Sequence, residues 1–376
     1  MSTTSPLPEL VPMDVAGRLG RLRAAFDGAG VDALFVTHLT NIRYLTGFTG
    51  SAALLAVTPD RALLVTDGRY AGQAPREVDA AGAPVEVGIS AEAQRELVQA
   101  VLDGSARIGL EAEHVSWASR DRYASSWFPN ADLVATAGLV EELRLAKDAG
   151  EIARIRRAGA FADAALAEVR PLLDEGLTER QIGLELDTTM RRLGASDTSF
   201  ETIVASGSNG ALPHARPSDR RIVAGDLVVI DIGALVDGYC SDMTRTVAVG
   251  EPSSTQVRML EVVLAAQAAG VAAVRAGVPA ADVDAACRAV IEDAGWGDAF
   301  SHGTGHGVGL DIHEARRVGR TSTATLAAGQ VVTVEPGVYL PEHGGVRIED
   351  TVVVTEVGAE PLTLTPKLTR VAQEHD

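Results

Sequence analysis

The chain has 376 residues, a 46% apolar fraction and a formal net charge of −18. That charge excludes the basic footprint of a nucleic-acid binder and disfavours anionic membrane surfaces. Two cysteines, Cys240 and Cys287, do not make a disulfide framework and fit a reducing cytoplasm.

No run reaches the ~18 consecutive apolar residues of a membrane helix. The opening MSTTSPLPELVPMD carries neither the basic nor the apolar region of a signal peptide. The length suits two domains, and the first, 1–143, alternates helix and strand patterns as α/β domains do. Residues 14–29 have helical periodicity with Gly30 as the stop, and A-L-F-V-T (33–37) reads as a strand. Residues 52–58 and 61–66 read as a hairpin turning at Pro59-Asp60. A helix over 91–103 leads to a strand at 106–110. N-I-R-Y-L-T-G-F-T-G-S (41–51) reads as a loop after a strand, and no catalytic cluster falls in this half. His38, His114, His343 and His375 receive no role.

The second domain spans 144–376. Asp148 and Glu151 have capping-box spacing and open a long amphipathic helix. Helices follow near 178–193, 255–275 and 279–294, with strand pairs between and after them. Those strand pairs repeat. A-G-D-L-V-V-I-D-I-G (224–233) and A-G-Q-V-V-T-V-E-P-G (328–337) share one pattern, with Asp231 and Glu335 at the matching place. Each is followed by a turn and a second strand bearing another acid, Asp242 in one and Glu349 in the other. A lone strand-end aspartate is ordinarily just hydrogen-bonded. Four acids placed by one rule in apolar strands need a cation.

The third element is S-H-G-T-G-H-G-V-G-L-D-I-H-E (301–314), with His302, His306 and His313. Its glycines disfavour a helix, so it reads as a strand or loop rather than a zinc-binding H-E-x-x-H helix. Four carboxylates with one or two imidazoles suit hard or borderline divalent ions. Two such ions balance four acids, and a hydroxide bridging them would be a hydrolytic nucleophile.

With I-D-I-G-A-L-V-D-G-Y-C-S-D-M-T-R-T, H-G-T-G-H-G-V-G-L-D-I-H-E, V-E-P-G-V-Y and G-G-V-R-I-E-D, the second half resembles the pita-bread metallopeptidases. The first half, through 41–51 and T-D-G-R-Y (66–70), resembles the creatinase-type N-terminal domain of their proline-specific branch, aminopeptidase P and prolidase. A-L-P-H-A-R-P-S (211–218) is similar to a loop of that branch.

The resemblance implies a creatinase-like α/β domain followed by a pseudo-symmetric pita-bread catalytic domain. It implies Asp231, Asp242, His306, Glu335 and Glu349 as metal ligands, with Asp242 and Glu349 bridging. It also implies Glu335 as general base, His313 on the oxyanion or substrate carbonyl, and His214 and His302 on the proline side. Arg347 would support the acids, and Arg317 or Arg320 would flank the substrate. The expected enzyme is a cytoplasmic Xaa-Pro aminopeptidase with two divalent ions, Mn²⁺ first and Co²⁺, Fe²⁺ or Zn²⁺ as alternatives. Short proline-containing peptides are its expected substrates and a homodimer its assembly, with no nucleic-acid or membrane partner. An Xaa-Pro dipeptidase is the alternative. A creatinase-like metal-free hydrolase and a non-enzymatic binding protein are the remaining rivals; both would lack the ligand set that is complete in this chain.

Overall fold

The computed structural model describes residues 7–367 and residue 370; His375 lies outside them. The chain divides into two units, Met13–Arg144 and Leu145–Asp376, with Met1–Pro12 grouped with the latter.

The Met13–Arg144 unit is built on a six-stranded sheet. Its order is Glu86–Ile89, Ala62–Thr66, Leu54–Val57, Ala33–Val36, Arg107–Glu111, Asp132–Thr136. The expected hairpin is present, with Leu54 opposite Val65 and a turn closed by Thr58 N–H on Arg61 O at 2.8 Å. The first helix is split into Arg18–Ala24 and Phe26–Ala29 and ends at Gly30, whose φ of 64° suits glycine. Residues 41–51 correct the loop expectation. Helix Leu39–Thr46 occupies the first half, burying Ile42, Tyr44 and Leu45, and Gly47 ends it at φ 76°. The T-G pair is therefore a helix stop.

The Leu145–Asp376 unit is two similar halves. Asp148 and Glu151 close the capping box that starts helix Ala149–Val169. Thr178 and Gln181 close another for Glu179–Leu193. These two helices cover the antiparallel strands Ile203–Ser206, Leu227–Ile232 and Met243–Ala248. Ile182, Leu186 and Met190, four residues apart, are fully buried in that core. Each contributes roughly 1.5–3 kcal/mol by leaving water.

The second half repeats the plan. Helices Ser254–Ala273 and Ala280–Asp293 share a core with strands Val331–Val334, Gly337–Leu340, Gly344–Arg347 and Asp350–Val354. Ser254–Ala273 is long and apolar enough to pass as a membrane span by composition. Its Met259, Leu260, Val263 and Ala266 are buried in this core instead.

Candidate metal centre

The acids stand where strand ends meet. Asp231 pairs with Thr244, two residues beyond Asp242. A side-chain period of two therefore turns Asp231 and Asp242 to one face. In the second half Val334 pairs with Asp350, which carries Glu335 and Glu349, one residue outward on each strand, toward each other. Thr244 joins the halves. Its carbonyl accepts from Glu349 N–H at 3.0 Å, and its hydroxyl donates to Glu349 Oε2 at 2.7 Å.

Ligand atoms of Asp231, Asp242 and Glu349 lie within 4.8 Å of one another. His306 Nε2 is 3.5 Å from Asp242 Oδ2 and 3.4 Å from Glu335 Oε1. Asp242 thus belongs to both groupings. His306 is on strand Gly305–Gly307, hydrogen-bonded between Glu314–Val318 and Val331–Val334. The glycines beside it are needed for close approach: a Cβ at Gly305 would fall 2.0 Å from the Thr333 carbonyl oxygen.

The electrostatics call for cations. Asp242 is 5% and Glu349 1% exposed. Burial, then the neighbouring carboxylates, pushes the pKa of both far above the carboxylate range. Burial raises Glu335 to about 7, against the pull of Arg347. Burial also lowers His306, leaving it a neutral imidazole, the form that binds a metal. Asp231 Oδ2 accepts from Arg347 Nη2 at 2.7 Å, while Asp231 Oδ1 and Glu349 Oε1 are buried with no hydrogen-bond partner. Orphaned carboxylate oxygens at the centre of an acid cluster fit divalent metal.

Arg347, 3% exposed, ties the cage to its surroundings. Nη1 donates to Tyr339 OH at 2.9 Å and to Pro213 O at 3.1 Å. His302 lies at 2.9 Å from the same hydroxyl through Nε2, and 2.8 Å from Gly303 O through Nδ1. Burial holds its pKa down at about 4, so the neutral ring donates to Gly303 and accepts from Tyr339. His313 is exposed, its ring 4.3 Å from that of His306. Burial and the His306 ring lower its pKa. His214 is on the exposed loop just after Pro213. Arg317 is exposed, and its charge is felt at both His306 and His313. Arg320 pairs with Glu292 at 3.0 Å on the surface. Cys240 is a buried packing residue, as is Cys287.

Several supporting residues escape the sequence patterns. Thr333 Oγ1 donates to Glu335 Oε1 at 3.1 Å and accepts from His306 N–H at the same distance. A buried pair, Asp284 and Arg288, holds the histidine segment: Thr304 Oγ1 donates to Asp284 at 2.8 Å, and Arg288 donates to the carbonyls of Phe300 and His302. Asp284 and Arg288 stand at i, i+4 on a helix, and no spacing rule links them to the distant Phe300, His302 and Thr304 they hold.

The Met13–Arg144 unit holds a second histidine group. His38, His114 and Glu141 have donor atoms within 4.8 Å. The two rings are parallel, 3.6 Å apart at 7°, so their in-plane lone pairs run side by side instead of converging on one ion. Glu141 Oε1 is taken up by Asn41 at 2.6 Å and His114 at 3.1 Å.

The family model for metallopeptidase family M24 matches residues 153–356, and that for the creatinase/prolidase N-terminal domain matches 18–146. The uncharacterized peptidase YqhT of Bacillus subtilis is 42% identical over 350 residues, covering 93% of this chain and 98% of that protein. The structure of an Xaa-Pro dipeptidase from Bacillus anthracis superposes with a TM-score of 0.91 at 39% identity, covering 95% of this chain and 99% of that one. An X-Pro aminopeptidase from Thermotoga maritima superposes at 0.85 and 34% identity, covering 92% and 99%.

Proposed function

The chain belongs to metallopeptidase family M24, with a creatinase-type N-terminal domain ahead of a pita-bread catalytic domain, and from that membership we propose that it is an Xaa-Pro dipeptidase. The motifs alone favour the aminopeptidase. Greater identity and superposition with a dipeptidase than with an aminopeptidase of the same architecture favour the dipeptidase. What supports the hydrolytic reading is the acid cluster itself: Asp231, Asp242 and Glu349 with His306 and Glu335 beside them, and buried oxygens of Asp231 and Glu349 with no hydrogen-bond partner.

Asp231 and Asp242 would hold one divalent ion and His306 and Glu335 the other, with Asp242 and Glu349 shared; Mn²⁺ is our first choice. Bound there, the ions would polarise the scissile carbonyl and acidify a water for attack.

The protein's own residues do the rest. Glu335, beside His306 and steadied by Thr333, takes the proton from the attacking water and returns it to the departing proline nitrogen. The exposed, neutral His313 donates a hydrogen bond to the oxygen that gains charge in the transition state. His302 uses both ring nitrogens on Gly303 and Tyr339, so it shapes the proline side with its ring face, while His214 offers a free-standing donor from its loop. Proline's amide carries no N–H, and none of these contacts requires one.

The test is metal-reconstituted protein assayed on Ala-Pro and Ala-Pro-Ala. Faster cleavage of the dipeptide supports the proposal. A clear preference for the tripeptide makes the enzyme an aminopeptidase. Cleavage of neither by metal-loaded protein overturns both.

A further inference from the structure

Glu179 opens helix Glu179–Leu193 and is fully buried, yet it is outside the metal cage and the roles assigned above. A buried carboxylate costs several kcal/mol unless its oxygens are satisfied. These are. Oε1 accepts from Ser206 N–H at 2.7 Å and Ser206 Oγ at 2.6 Å. Oε2 accepts from Ser218 N–H at 3.0 Å and Ser218 Oγ at 2.6 Å. The Asn209 amide donates to both, at 3.1 and 3.0 Å.

Ser206 and Ser218 are the two ends of the segment that carries His214. Its middle is fixed separately, where Pro213 O accepts from Arg347. Arg220 completes the frame, donating to Ser206 Oγ at 2.6 Å. Between these anchors Leu212 is 60% exposed, and His214 is exposed too. The tip is exposed at both residues, and the anchors at Ser206, Pro213 and Ser218 fix the chain on either side of it.

We propose that Glu179 is a positioning residue: by gathering both ends of the 206–218 segment onto one carboxylate, it sets where His214 stands relative to the cage. Only an acceptor at both oxygens fits, because two of the donors are backbone N–H groups that cannot reverse. Glu179→Gln places an NH₂ against donors at one end and frees that end. The role in turnover rests on the Xaa-Pro hydrolase reading; the role in fixing the segment does not.

The experiment pairs kinetics with hydrogen exchange. E179Q is expected to lose about 10–100-fold in kcat/KM on Ala-Pro, as loss of an outer partner of a site residue commonly does. Added to H214A, it is expected to cost less than about twofold more, because the effect passes through His214. Bound metal should match the wild type. Amides of 207–218 should exchange faster, while those of strand Leu227–Ile232 keep their protection. N209A, which removes one donor, should show the same pattern more weakly if E179Q folds poorly. A full additional loss in the H214A background, or exchange rising equally everywhere, overturns the proposal. If the wild type cleaves no Xaa-Pro peptide, the functional reading falls, and the exchange data alone decide whether Glu179 holds the segment.

Discussion

Single side chains in this site matter through what they leave unpaired. Arg347 donates to Asp231, Tyr339, Pro213 and Thr244 from a site 3% exposed. R347A strands a buried carboxylate and should cost about 3–5 kcal/mol in urea unfolding of the metal-free protein; a loss below ~1 kcal/mol would show Asp231 to be supported otherwise. Glu335→Ala should lower kcat by at least about 10²-fold on Ala-Pro, and near-normal turnover would remove its role. Glu179 sets a pH test. Burial acts to raise its pKa, but the hydroxyl and N–H donors hold it below the usual carboxylate value. Its folded pKa is depressed, so its stabilisation is present above ~4.3 and lost as pH falls through the folded value. The stability gap between wild type and E179Q should therefore shrink on acidification from about pH 6 to about pH 3. A gap that does not change with pH would mean the carboxylate's charge contributes nothing. The cage acids were legible because Asp231 and Glu335 share one local pattern. Glu179 was not, because Ser206 and Ser218 lie 27 and 39 positions away and no spacing rule links them.

At the scale of elements, the repeat was legible as a rhythm but not as a geometry. Asp231 lies inside its strand, whereas Glu335 follows the end of Val331–Val334, a difference that the matched sequences hide. Turn and cap chemistry read well where it is local, as at Asp148 with Glu151 or at Gly30. It failed at 41–51, where T-G ends a helix whose burial of Ile42, Tyr44 and Leu45 depends on distant partners. The glycine strand makes the corresponding prediction. A methyl group at Gly305 meets the Thr333 carbonyl at 2.0 Å, and neither backbone can yield without moving His306. G305A should lower thermal stability, by roughly 1–3 kcal/mol, and reduce metal content measured by elemental analysis. Full metal occupancy in G305A would show that the strand tolerates the shift.

For the whole molecule, charge and metal are linked. The cage gathers carboxylates that resist ionising together, in a chain already at −18. Ligand-linked stability is about 2.7 kcal/mol for each site held at 100 times its Kd. Stripping metal with EDTA should therefore abolish turnover and lower the melting temperature, and Mn²⁺ should restore both. Activity unchanged by EDTA in protein shown to hold no metal would defeat the mechanism. The domain order and the doubled plan of the catalytic unit were legible from composition, repeat and motif. Which faces the helices cover was not, since both halves are rich in the same small apolar residues.

The candidate ligands come from both halves of the catalytic unit: Asp231 and Asp242 from one, His306, Glu335 and Glu349 from the other. Asp231 and Glu349 are 118 positions apart in the chain, so bringing them together closes a long loop at an entropic cost. Neither half offers a complete binding site on its own. A metal ion held there would therefore require both halves to be folded, and a chain with only one half folded would lack the complete donor set.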